Sequence, residues 1–247
     1  MPLAERSGEM RVHKVALDPV VVEKVVRRRG RLHVFSDLQP ARTALLVVDM
    51  QAIYLDPALA EGNSFFVPHY REIVPNINRI ADALRKTGGT VVWIMNAVTP
   101  ESQKSWSVVN ERMLSPESRK KREAAYTPDA PENQLWRDLD VKEQDLTVKK
   151  TRFSAFIQGS SDIEARLRER GIDTVIITGV GTDACCESTA RDAMMLNFAT
   201  IMVGDANACA SDHAHNASLT AFYRLFGDVM STDELISFIN ANHAISK

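Results

Sequence analysis

A thiol, a carboxylate and an ammonium occur in this sequence where each could do chemistry. The thiols are adjacent, Cys185 and Cys186, in the stretch Ile176-Ile177-Thr178-Gly179-Val180-Gly181-Thr182-Asp183-Ala184-Cys185-Cys186-Glu187-Ser188-Thr189. Its glycines permit a tight turn and close backbone approach. A helix starting near Cys185 would place a thiol at the positive end of the dipole and lower its pKa toward neutrality. The same helix start offers backbone N–H groups to an oxyanion. The plain alternative is a buried, inert cysteine. The carboxylate is Asp49, directly after the apolar run Leu45-Leu46-Val47-Val48. A charge there is costly unless paired or solvated, which suits a general acid or base; the alternative is a cap for the next turn. The ammonium is Lys149 or Lys150, in Val148-Lys149-Lys150-Thr151-Arg152-Phe153. Either could lower a thiol pKa and orient an acid, or simply lie in solvent.

The elements that must position these groups alternate along the chain. Short apolar runs predict strands at 44–48, 90–95, 146–148, 174–178 and 199–203, with a further short strand near 228–230. Apolar residues at helical spacing (Ile73, Ile77, Ile80, Ala81, Leu84) predict a helix over 70–86, ended by Gly88-Gly89. Further helices are expected over 162–170, 185–197, 214–225 and 233–241. Strands alternating with helices mean right-handed βαβ units. The expected fold is therefore α/β: a single-domain three-layer sandwich with a mainly parallel six-stranded sheet and helices on both faces. Such sheets bind ligands beyond the carboxyl ends of their strands. The thiol, carboxylate and ammonium each follow a strand, so all three fall at one edge of one sheet.

Two segments break the rhythm. Residues 1–40 read as an N-terminal arm ahead of the main domain at 41–247, with a helix over 20–29 opened by Pro19 and stopped by Gly30. The Arg27-Arg28-Arg29 run is either a solvated helix end or a contact for an acidic partner. The arm could also pack on a neighbouring copy. Residues 97–140 are polar, proline-dotted and too long for a simple connection, which marks a lid or specificity segment. Trp106 and Trp136 could anchor it, and Arg112, Lys120 and Arg122 could meet a substrate carboxylate or lie in solvent.

Bulk properties exclude several classes. The 247 residues carry a formal net charge of −2, so no broad positive field favours nucleic acid. No apolar run approaches the ~18–20 residues of a membrane span, and the N-terminus lacks a signal-peptide core. Three cysteines, two of them neighbours, do not form a disulfide framework. A reducing, cytoplasmic setting is the expectation.

Four stretches carry a resemblance to a known family: Ala44-Leu45-Leu46-Val47-Val48-Asp49-Met50-Gln51, Lys150-Thr151-Arg152-Phe153-Ser154-Ala155-Phe156, Thr178-Gly179-Val180-Gly181-Thr182-Asp183-Ala184-Cys185 and Glu187-Ser188-Thr189-Ala190-Arg191-Asp192-Ala193. From about 41 to 238 the chain resembles the isochorismatase-like cysteine hydrolases. The resemblance implies a catalytic triad of Asp49, Lys150 and Cys185. It selects Lys150 over Lys149 and Cys185 over Cys186. It also implies a cis peptide between Val180 and Gly181, with the N–H groups of Gly181 and Cys185 forming the oxyanion hole. The nicotinamidase branch carries a metal bound by Asp-x-His after the first strand and a further His after the second. The segment 51–69 holds only His69, with no Asp-x-His, and Trp93-Ile94-Met95-Asn96-Ala97-Val98 has no histidine. No metal and no other cofactor is therefore expected. Asn96 and Phe226-Gly227-Asp228-Val229 look like the ureido-processing branch of ureidoacrylate amidohydrolases, N-carbamoylsarcosine amidases and biuret hydrolases. Substrate contacts are expected from Asn96, Gln51, Phe153 and Thr182, and the family implies a homo-oligomer, a dimer or a tetramer.

The expected activity is hydrolysis of a C–N amide or ureido bond in a small molecule through a thioester. Isochorismatase-type or nicotinamidase-type hydrolysis of another small substrate is the alternative. Cys185 and Arg191 also fit the Cys-x5-Arg spacing of cysteine phosphatases. The intervening residues lack glycine, however, and Glu187 would repel a phosphate. A non-catalytic binding module is the remaining alternative.

Overall fold

The computed structural model describes residues 13–59, 66–127 and 129–245. Residues 1–12 of the expected arm, and the few other residues outside those ranges, lie beyond the described part. The sheet contains β1 (Thr43–Val48), β2 (Thr90–Asn96), β3 (Leu146–Lys150), β4 (Thr174–Val180), β5 (Ala199–Ala208) and β6 (Asp228–Met230), in the order β3-β2-β1-β4-β5-β6. Every neighbouring pair is parallel. The order reverses between β1 and β4. That is the topological switch point at which doubly wound sheets open a crevice.

Period-2 alternation sorts the strands' side chains onto two faces. Leu45 and Val47 of β1 enter one core cluster; Ala44, Leu46 and Val48 enter the other. The first face is covered by α3 (Val74–Lys86) and α9 (Thr232–Ile245), through Ile77, Ile80, Leu84, Leu235 and Ile239. The second is covered by α1 (Pro19–Arg29), α6 (Ile163–Glu169), α7 (Glu187–Met195) and α8 (Asp212–Leu225). Val25, Leu167, Ala190 and Phe222 carry that contact. Short α2 (Ala52–Leu55) follows β1.

Three expectations change. The described part of the expected arm, from residue 13 on, packs on its own chain. Asp18 caps α1, and Arg29 reaches the carboxylate of Asp228 and the carbonyls of Tyr223 and Gly227. Only part of the arginine run is solvated. The 97–140 segment is largely helical: α4 (Pro100–Ser105), a π-turn (Val108–Met113) and α5 (Pro116–Ala125). Thr99 and Ser115 cap these helices and proline follows each cap, which is how a polar stretch starts a helix. Lastly, the helix after β4 begins before Cys185, as a π-turn over Thr182–Cys186 that continues into α7. Among the described residues no helix is long and apolar enough to cross a membrane.

Candidate active site

β1 delivers Asp49 through an unusual backbone. Its φ is 55°, a left-handed conformation that Asp adopts more readily than most residues. Its N–H still bonds to Ile94 O at 2.8 Å, so the chain turns only after the last ladder bond. The carboxylate is buried; Oδ2 lies 2.9 Å from Lys150 Nζ, and Oδ1 has no hydrogen-bond partner.

β3 decides between the two lysines by parity. Val148 and Lys150 point into the protein, while Lys149 points to solvent. The fully buried Lys150 ammonium touches Asp49, the Arg152 carbonyl at 3.1 Å and Cys185 Sγ at 3.5 Å. Burial opposes its charge, but Asp49 and Cys185 outweigh that and hold its pKa above the ordinary lysine value.

β4 brings the thiol. Gly179, at φ 116°, passes so close to β1 that a Cβ would lie 2.1 Å from Val48 O. Only glycine fits there. The Val180–Gly181 peptide is cis. The Gly181 carbonyl accepts the N–H groups of Ala184 and Cys186, so neither of those amides is available to an oxyanion. Cys185 is 8% exposed and faces Lys150; Cys186 is fully buried with its Sγ 3.9 Å from Thr178 O. All three cysteines are free thiols. Burial and the Asp49 charge push the Cys185 thiol up to about 12, with Lys150 opposing them. The helix start therefore does not produce the lowered pKa that its dipole alone suggests.

The four expected substrate contacts differ in their surroundings. Asn96 ends β2 and is buried; Nδ2 donates to the Tyr54 hydroxyl at 3.3 Å, and Oδ1 has no partner. Gln51 is fully engaged elsewhere. It accepts from Asn96 N at 2.7 Å and donates to Asn133 Oδ1 at 2.7 Å, tying the end of β1 to β2 and to the 97–140 segment. Thr182 is buried with its hydroxyl on His215 Nδ1 at 2.8 Å. Phe153 is 46% exposed and packs edge-on against Trp106, outside the buried group. Trp136 is buried, and its backbone N–H donates to Met50 O at 2.8 Å. Arg122 donates to Asn110 Oδ1, while Arg112 and Lys120 are exposed.

Two tyrosines escaped the sequence reading. Tyr54 and Tyr126 share a hydroxyl–hydroxyl hydrogen bond, and both feel the charge of Asp49. No local motif marks them, since Tyr126 reaches the site from the far end of α5. The phosphatase spacing is not realised: the Arg191 guanidinium binds Glu187 and lies over the Phe226 ring.

Residues 43–234 match the isochorismatase domain. The chain belongs to the isochorismatase family. On that membership it is a hydrolase. It is 29% identical over 223 residues to the ureidoacrylate amidohydrolase RutB of Acinetobacter baylyi, covering 85% of this chain and 89% of that protein. Among solved structures it resembles a cysteine hydrolase from Pseudomonas syringae pv. phaseolicola 1448A, with a TM-score of 0.70 and 26% identity over 83% of this chain and 96% of that one. It also resembles the N-carbamoylsarcosine amidase of Thermoplasma acidophilum, with a TM-score of 0.61 and 25% identity over 78% and 97% of the two chains.

Proposed function

We propose that this hydrolase cleaves the C–N bond of a ureido or amide group in a small molecule, with Cys185 as nucleophile. The observation that carries the reading is the buried contact of Asp49, Lys150 and Cys185 at the switch point, beside an Asn96 oxygen that no protein group satisfies. An amide or ureido N–H fits that oxygen.

At rest the thiol keeps its proton, because its pKa is about 12. Asp49 takes that proton as sulfur attacks the substrate carbonyl. Lys150 stays charged and balances the carboxylate before transfer and the sulfur during it. The N–H groups of Gly181 and Cys185 receive the developing oxyanion; one such donor is typically worth ~3–4 kcal/mol. Asp49 then gives its proton to the leaving nitrogen, and the C–N bond breaks to leave a thioester. A water, deprotonated by Asp49, attacks the thioester and frees the thiol. From a ureido substrate the acyl product is a carbamate, which decays to carbon dioxide and ammonia. The relatives named ureidoacrylate amidohydrolase and N-carbamoylsarcosine amidase support the ureido assignment.

The test is a panel of ureido acids, biuret, nicotinamide and isochorismate, scored for released ammonia or product. Turnover of a ureido compound that disappears in Cys185→Ala and persists in Cys186→Ala is the expected result. Turnover of isochorismate that survives Cys185→Ala would overturn the reading.

A further inference from the structure

A second group of reactive side chains borders the nucleophile loop, and the reaction above does not use it. His13, Cys209 and His215 are buried, and a ligand atom from each lies within 4.8 Å of the other two. They come from the N-terminal segment, the residue after β5, and α8. Both imidazoles are oriented by hydrogen bonds through Nδ1. His13 Nδ1 is 2.5 Å from Asp212 Oδ1, the carboxylate–histidine pairing that fixes the tautomer and frees Nε2 for a metal. His215 Nδ1 meets the Thr182 hydroxyl, and its Nε2 is buried with no hydrogen-bond partner. In the tautomer that carries its proton on Nδ1, the Nε2 lone pair is open to a ligand bond. His13 Nε2 lies 3.1 Å from the backbone nitrogen of Cys209 and 3.0 Å from its carbonyl oxygen, contacts that a ligand bond would have to replace.

We propose that His13, Cys209 and His215 form a binding site for a thiophilic divalent cation of the zinc class. Two imidazoles and one thiolate make a common donor set for such an ion, with a water in the fourth position. Bond lengths of ~2.0–2.3 Å set tetrahedral ligand atoms ~3.5 Å apart, and because the His13 and His215 rings are stacked at 4.3 Å with 22° between their planes, one imidazole must rotate as the three groups close on the ion. Binding forms a metal–sulfur bond and releases the Cys209 thiol proton to solvent. None of the three occupies the Asp-x-His position of the nicotinamidase pattern. The cation's effect would be to clamp the N-terminal segment to β5, α8 and, through Thr182, the loop that carries Cys185.

The test uses the full-length protein, stripped with a chelator and titrated with Co2+ as the spectroscopic probe. The expected result is one equivalent bound, with a thiolate-to-cobalt charge-transfer band and about one proton released per cation near pH 7. The band is lost in Cys209→Ser and kept in Cys185→Ser. Asp212→Asn, a change at an exposed carboxylate, weakens cobalt binding ~10–100-fold without touching a ligand atom, and so remains informative if Cys209→Ser fails to fold. Absence of the band, or a band that follows Cys185 instead, would overturn the proposal.

Discussion

Cys185 sits 3.5 Å from an ammonium and still titrates near 12, because burial and the Asp49 carboxylate outweigh Lys150. On the proposed mechanism this favours a protonated thiol before attack, with proton transfer to Asp49 as sulfur adds. Two outcomes follow. Alkylation of Cys185 by iodoacetamide should rise ~tenfold per pH unit from 7 to 9 without a plateau, as measured by mass spectrometry. Replacing Asp49 with Asn should lower kcat ~10²–10⁴-fold while the thiol becomes easier to ionise, since the charge that raised its pKa is gone. A plateau in alkylation near pH 7 would show a thiolate already formed. The ion pair has a structural consequence as well. Lys150→Met leaves Asp49 buried without its cation and should cost ~3–5 kcal/mol in urea denaturation at pH 7. The double variant Asp49→Asn/Lys150→Met should recover most of that loss, because both charges leave together.

At the scale of elements, the site is three strand ends held in register. Gly179 allows β4 to pass β1, so Gly179→Ala should destabilise by at least ~3 kcal/mol, through both its positive φ and the Val48 backbone. Gly181→Ala is the contrast. Its new methyl would meet nothing nearer than Asp183 Oδ1 at 3.4 Å, and a change under ~1 kcal/mol is expected from the same denaturation curves. Much of this arrangement is legible in the sequence, because buried parallel strands are continuous apolar runs. The ends are less so. β5 runs on to Ala208 through Gly204, Asp205 and Asn207, where periodicity stops signalling a strand. Asn207 keeps it in the sheet by donating to Ile177 O and Val203 O, both at 2.8 Å, across an irregularity in the β4–β5 ladder. The capped helices of 97–140 were also encoded, in Thr99-Pro100 and Ser115-Pro116, but a low apolar content hides them from a reading based on burial.

Across the whole molecule, the described N-terminal residues, from 13 on, are part of the fold. Arg29 meets Asp228, a carboxylate that is buried at the opposite end of the chain. Burial raises the Asp228 pKa, and Arg29 offsets only part of that. A carboxylate whose folded pKa is raised gives stability below its unfolded pKa and loses it as pH rises. Arg29→Ala should therefore be least stable relative to the parent at pH 7, by ~3–5 kcal/mol. The deficit should narrow as pH falls toward the ordinary aspartate range, where protonation removes the unpaired charge; paired thermal melts across pH would show it. Such long-range pairings have no sequence signal. His13 and His215 are equally remote, which is why their stacking at 4.3 Å went unforeseen.

Gln51 links the end of β1 to Asn96 and Asn133, and so fastens the 97–140 segment at its return to the sheet. That single amide separates two kinds of inheritance. On the proposal that this segment sets specificity, mutation between the fastened ends reshapes which molecules are admitted, while the proposed reacting groups stay where the strands put them. A directed-evolution library confined to 99–127 should accordingly shift substrate preference far more often than it abolishes turnover. The same number of changes around Gln51 should do the reverse.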